Sequence, residues 1–210
     1  MPAIVHGFGV RGVGVGEYLD GLGVSSRGLF KTKQVHGNCV HYLEHNKHDP
    51  LVGDAFITDK PELVCSVRSA DCAPILIADT RRSAVAAVHA GWRGTAADVV
   101  GAALKTMNRT FGTDPQQCVA AIGPTICPTC YEIGDDVVGA LRHLELERDC
   151  LADGRLDLAQ ANAILLERAG LLPCNIEIIP QCTCCDTTFA SWRRDRRHHE
   201  RQSSFIMIEG

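Results

Sequence analysis

Short apolar runs punctuate the chain at residues 63–67, 75–78, 84–89, 118–122, 176–179 and 205–208, and their lengths suit strands better than helices. The connection between the second and third, Asp79-Thr-Arg-Arg-Ser83, is too short for a crossover, so these two are expected to form an antiparallel hairpin. After Gly94 the period changes. Ala96, Val99, Val100, Ala103, Leu104 and Met107 recur at three- and four-residue spacings, which predicts a helix with Thr95 as its N-cap and Gly112 beyond its end. A second helix is expected after Asp135, and a third from about Asp157 to Ala169, stopped by Gly170. Paired strands with three interspersed helices predict a mixed α+β domain.

Composition narrows the function classes. The chain of 210 residues, 45% hydrophobic and 22% charged, has ordinary globular values, and no Pro- or Ser-rich linker or repeat divides it, so residues 1–210 are read as a single enzyme domain. Formal net charge is −4, and the basic run from Arg193 to Arg201 is interrupted by Asp195 and Glu200, so it is read as solvated surface and no nucleic-acid partner is expected. No apolar stretch approaches the ~18 residues that span a bilayer, and Met1-Pro-Ala-Ile-Val-His6 lacks the basic and apolar regions of a secretory signal. No membrane partner and a cytoplasmic location are therefore expected. Eleven cysteines fall below the roughly 8–10% of disulfide scaffolds, so these thiols are read as packing, metal or chemistry.

Three segments place a metal-capable residue where an apolar run gives way to turn residues: Lys33-Gln-Val-His36-Gly37, Ser69-Ala-Asp-Cys72-Ala-Pro74 and Val88-His89-Ala-Gly-Trp-Arg93-Gly94. Two imidazoles and one thiolate match the borderline softness of zinc, and three protein ligands leave a fourth tetrahedral position open, as in catalytic sites. One thiolate neutralises one of the two metal charges, leaving a local charge of about +1 that activates water. Arg93, Arg68 and Asp71 would supply an anion clamp and a proton-transfer group. Separations of 36 and 17 residues form no local metal motif, and by themselves these residues read more readily as packed or hydrogen-bonded strand ends than as ligands.

The surrounding motifs alter that balance. Gln34-Val-His-Gly37, Asp54-Ala-Phe-Ile-Thr58, Ser69-Ala-Asp-Cys-Ala-Pro74, His89-Ala-Gly-Trp-Arg-Gly94, Ile122-Gly-Pro124 with Cys130-Tyr-Glu132, Leu156-Asp-Leu158, and Cys182-Thr-Cys-Cys185 with Ser191-Trp-Arg-Arg-Asp195 together resemble the multicopper polyphenol oxidase or laccase-domain family, also called YfiH-like. The resemblance implies a fold of mixed β-sheet layers flanked by helices, distantly similar to certain cysteine hydrolases, with His36, Cys72 and His89 as metal ligands. It also implies that Arg11 occupies the place of an N-terminal family arginine. The activities it implies are zinc-dependent phosphorolysis of purine nucleosides, namely adenosine, inosine and guanosine with methylthioadenosine as a further candidate, and adenosine deamination. The partners expected are thus purine nucleosides and phosphate, held by Arg11, Arg68 and Arg93, with Asp71 carrying a proton or orienting a ligand imidazole. The chain departs from the family pattern between Tyr18 and Lys33, where a turn, an Asn-bearing segment and a helix are expected but there is no room for them, and at His199-Glu-Arg201, where Thr-Gly-Arg is usual.

Other chemistries use the same residues. Cys72 activated by His89 would serve a Cys/His hydrolase. Copper at His36, Cys72 and His89 would give weak polyphenol oxidation in vitro, whereas multicopper chemistry needs about ten ligands and usually His-x-His pairs, which nine histidines without such a pair do not provide. A non-enzymatic binding module is the remaining class. Cys127-Pro-Thr-Cys130 and Cys182-Thr-Cys184-Cys185 are assigned packing and loop roles, the second being read as Cys-x-Cys-Cys and so mis-spaced for a zinc knuckle. His41, His45 and His48 are assigned to the surface.

Overall fold

In the computed structural model, which describes residues 3–24, 28–45, 50–81, 83–146, 150–196 and 200–210, every one of the six apolar runs contributes to a strand. From the N-terminus, β1 (Ile4–Phe8) leads to α1 (Val15–Gly21), then β2 (Thr32–Lys33), β3 (Val40–Tyr42), β4 (Leu51–Val52), β5 (Ala55–Thr58) and β6 (Cys65–Ser69). Next come β7 (Ala73–Asp79), β8 (Ala84–Ala90), α2 (Trp92–Ala96), α3 (Val99–Phe111), β9 (Cys118–Ile122) and α4 (Asp135–Leu141). The remainder comprises β10 (Leu151–Ala152), β11 (Arg155–Leu156), α5 (Leu158–Arg168), β12 (Ile176–Ile178), α6 (Trp192–Asp195) and β13 (Gln202–Ile208). No helix among the described residues is long and apolar enough to cross a membrane.

Six strands form the main sheet in the order β12-β9-β7-β8-β5-β3, and three form a second sheet in the order β1-β13-β6. The hairpin expected across Asp79–Ser83 is present, with β7 and β8 antiparallel and Asp79 opposite Ala84. All seven residues of each are buried, because both faces of the sheet are covered. On one face Ile75, Ile77, Ala86 and Val88 pack with Ala103, Leu104 and Met107 of α3 and Leu165 and Leu166 of α5. On the other, Phe56, Leu76, Val85 and Ala87 meet Cys65, Val67, Ile206 and Ile208 of the smaller sheet. The alternate residues of β13, Phe205 and Met207, turn outward and bury Val15 and Leu19 of α1. The resulting α+β architecture is helix, sheet, sheet, helix.

Two expectations are corrected. The helix after Gly94 is two helices, broken at Asp98, whose φ of 52° is left-handed and whose carboxylate accepts from Gly101 N at 3.1 Å. Thr95 therefore caps nothing. It lies buried inside α2, where Asn162 Nδ2 of α5 donates to its hydroxyl at 3.0 Å. Apolar spacing runs on unchanged through the break, and only the capping capacity of an Asp placed three residues before Gly101 marks it. The second correction concerns the stretch before Gln34-Val-His36: a helix, α1, does precede it, beginning ahead of Tyr18. Elsewhere α4 and α5 lie where the pattern places them, with Asp157 capping α5 through Gln160 N and Gly112 closing α3 at φ 70°.

Candidate metal centre and its cavity

The centre is organised by a carboxylate. Asp54, wholly buried at the start of β5, accepts the backbone N–H groups of Val35, His36 and Gly37 at 3.0, 2.9 and 2.9 Å. Three amides converging on one anion make a nest, which holds His36 at a left-handed φ of 61°. The same Asp54 accepts from His89 Nδ1 at 2.8 Å, so the Nε2 face of that imidazole is the one free to ligate. Burial disfavours the charged Asp54 carboxylate, but the His89 bond and the Gly37 and Val35 amides outweigh it and hold its pKa below the usual value.

Cys72 follows the β6 strand and His89 sits near the end of β8, while His36 reaches in from the turn before β3. Their ligand atoms lie within 4.8 Å of one another, and the two imidazole rings meet edge to face with centroids 4.9 Å apart. The Asp54 hydrogen bond therefore belongs to a ligand-orienting role that the sequence reading gave to Asp71. Burial alone would raise the Cys72 thiol; the charge of His89 and hydrogen bonds from both imidazoles bring it down to about 6. His89 moves oppositely, to about 9, because the Cys72 charge and the Asp54 bond exceed the effect of its burial. Gly91 completes the cradle: a Cβ there would stand 2.8 Å from Cys72 Sγ and 3.2 Å from the His36 ring. Two imidazoles and a thiolate that is easily formed suit a divalent metal, with room for an outside ligand on the cavity side.

The three residues floor a cavity of about 730 Å³. Its lining is strongly cationic. Arg68 and Arg93 are there as the motifs suggest, joined by Lys33 and by Arg193 and Arg201 of the basic run expected on a solvated surface. Arginines are stacked on lining aromatics: Arg93 over Trp92 at 4.0 Å, Arg193 over Tyr131 at 5.4 Å and Arg201 over Trp192 at 5.8 Å. Burial, then the nearby Cys72 charge, push the Tyr131 phenol upward, so it stays a hydrogen-bond donor. Ser69 Oγ, buried on the same wall, has no hydrogen-bond partner among the described residues.

Asp71 is the carboxylate among the described residues lining the cavity, at a left-handed φ of 84°. It does not touch the imidazoles: Oδ1 accepts from Thr183 Oγ1 at 2.7 Å and Oδ2 from Arg193 N at 2.6 Å. Arg11 is not among the lining residues; its guanidinium pairs with Glu200 and, at 3.5 Å, with Asp195. His41 is half-buried on β3, with Nε2 2.9 Å from the Val52 carbonyl, and His45 is exposed, while His48 and His199 lie outside the described residues. Four of the cysteines assigned packing and loop roles come together in space. The sulfurs of Cys127, Cys130, Cys182 and Cys185 lie within 4.8 Å of one another. Asp54, the residue that sequence reasoning missed, was visible only as part of a motif, since an acid ahead of a strand has no local mark of the imidazole it will meet.

Residues 16–209 match the family described as multi-copper polyphenol oxidoreductase laccase. A purine nucleoside phosphorylase of Deinococcus radiodurans is 35% identical over 177 residues, 83% of this chain and 68% of its own. The adenosine deaminase RL5 of an unknown prokaryotic organism is 36% identical over 190 residues, 82% of this chain and 72% of its own. Among solved structures, the hypothetical protein YfiH of Bacillus licheniformis superimposes with a TM-score of 0.89 at 27% identity, covering 98% of this chain and 93% of that one.

Proposed function

Because the chain belongs to the multi-copper polyphenol oxidoreductase laccase family, we propose that it is a zinc-dependent enzyme that cleaves purine nucleosides with phosphate and also deaminates adenosine. The observation that carries this reading is the convergence of His36, Cys72 and His89 on the floor of a cavity ringed by arginines and aromatic faces. A volume of about 730 Å³ is within the usual range for small-molecule sites and admits a nucleoside with phosphate beside it. Bound by His36, Cys72 and His89, zinc would supply Lewis acidity at the cavity floor.

The protein's own groups divide the remaining work. Arg93 and Arg68, with Arg193 and Arg201, neutralise a phosphate dianion, and Trp92, Tyr131 and Trp192 keep the guanidinium groups of Arg93, Arg193 and Arg201 in place. Tyr131 and Trp192 offer apolar surface to the purine, and Ser69 Oγ offers a hydrogen bond to a sugar or base. Asp71 carries the proton: it lines the cavity, and its two accepted hydrogen bonds leave the carboxylate further acceptor capacity. In phosphorolysis a phosphate oxygen bonds to the anomeric carbon as the glycosidic C–N bond breaks, and the base leaves with a proton. In deamination water oxygen replaces the amine, which leaves as ammonia.

A specific arrangement favours one competitor. Cys72, His89 and Asp54 stand in the order of a nucleophile, base and orienting acid. The second imidazole, His36, at the same thiol is what a metal cradle requires and a nucleophile does not. Multicopper chemistry finds less support, since the other metal-capable cluster among the described residues is all thiol. Zinc-loaded protein incubated with adenosine or inosine, with and without phosphate, tests the assignment by product mass. Ribose 1-phosphate with free base, and inosine from adenosine, are expected; neither product appearing would sink it. Iodoacetamide labelling separates the competitor: a ligand thiol is protected until a chelator strips the metal, whereas a nucleophile is alkylated at once.

A further inference from the structure

Two Cys-x-x-Cys pairs, Cys127 with Cys130 and Cys182 with Cys185, are held facing each other by the chain segments on either side. Each cysteine of the first pair is 55 residues from its counterpart in the second. The sequence reading missed the second pair because Cys184 intervenes and makes the segment look like Cys-x-Cys-Cys. Only the fold shows which two of its three thiols point the same way.

We propose that Cys127, Cys130, Cys182 and Cys185 form a second, structural metal site, suited to zinc, that clamps together the two loops of one cavity wall. The four sulfurs lie within 4.8 Å of one another, and a tetrahedral zinc with bonds of about 2.3 Å needs sulfurs roughly 3.8 Å apart. Cys130 and Cys185 are already at 3.4 Å, so a small expansion admits the ion. The backbone N–H of Cys127 donates to Cys182 Sγ at 3.3 Å, the kind of amide-to-sulfur bond that stabilises a thiolate ligand. Four thiolates around a divalent ion leave two negative charges, and the Arg194 guanidinium is bound over the same turn through the carbonyls of Thr183, Cys184 and Asp186 at 2.9, 3.2 and 3.2 Å. Each thiol gives up its proton on binding, with no change of oxidation state.

The location gives the site its use. Thr125 pairs with Cys182 across the two loops, and its hydroxyl donates to the Asp71 carbonyl at 2.6 Å. Thr183, between the ligands, donates to the Asp71 carboxylate, and Tyr131 follows Cys130 directly. Four protein ligands leave no open position, so this ion would hold structure and take no part in turnover. The inference stands whether or not nucleosides are the substrates.

Metal analysis of the full chain, purified under reducing conditions and supplied with zinc, decides the matter. Two zinc ions per chain are expected, falling to one in Cys130→Ser/Cys185→Ser, and to one, at the other site, in His36→Ala/Cys72→Ala. Cys184→Ser should retain both. Cobalt loading should give intense tetrathiolate absorption that survives His36→Ala/Cys72→Ala and vanishes in Cys130→Ser/Cys185→Ser. One zinc in the wild type, unchanged by the cysteine pair substitution, overturns the proposal, as does an intact mass lowered by disulfide formation in zinc-supplied protein. Should the cysteine variant fail to fold, the His36→Ala/Cys72→Ala protein still decides: absence of the tetrathiolate spectrum there also overturns it.

Discussion

Asp54 shows how much of the centre depends on one side chain. Its carboxylate fixes the His36 turn through three amides and the His89 ring through Nδ1, so both candidate ligands answer to it. Asp54→Asn is expected to weaken metal binding by about 10- to 100-fold with the fold intact, measured by competition against a chromophoric chelator. Cys72 carries a second residue-scale consequence. With its pKa lowered to about 6, the thiolate is fully formed above pH 7, so in metal-free protein its alkylation rate should be flat from pH 7 to 9 and fall about tenfold per unit below pH 6. An ordinary thiol, with a pKa of about 8.5, would still be gaining reactivity through pH 8. A rate that climbs through pH 8 would contradict the His-paired environment.

Among the elements, β7, β8 and their hairpin were legible because an apolar run of strand length with a short polar connection has few other ways to fold. The ends of α3 and α5 were legible for a similar local reason, a glycine or a capping Asp. The break between α2 and α3 was not, since period alone cannot reveal a single left-handed residue. Asp98 holds that break through Gly101 N, and Asp98→Ala should lower stability by about 1 kcal/mol in denaturant unfolding, losing the cap and leaving alanine at positive φ. Asp98→Gly, which tolerates that φ, should lose only a few tenths of that unit. The short strands β2, β3 and β4 escaped detection because two or three residues carry no readable period.

For the whole molecule, the two sheets are joined by a core in which Phe56 is wholly buried against Cys65, Val67 and Leu76 of both layers. Phe56→Ala is expected to cost about 3–5 kcal/mol in equilibrium unfolding, because neither sheet can collapse into the space left. Stacking the sheets also brings the turn before β3, the β6–β7 junction and the end of β8 to one floor. Far-separated segments supply the wall above it, among them Tyr131, Trp192 and Arg201. By itself the sequence determined β6 to β9, β12, β13 and two of the three expected helices, because short-range spacing decides these, while His36, Cys72 and His89 are marked out by the motifs around them and not by their spacing. Only the tertiary structure decided that Asp54 orients His36 and His89, that Arg11 faces Asp195 and Glu200 while Arg193 and Arg201 line the cavity, and that four cysteines meet. Each of these depends on the direction of a side chain across a sheet or loop, which sequence separation does not encode.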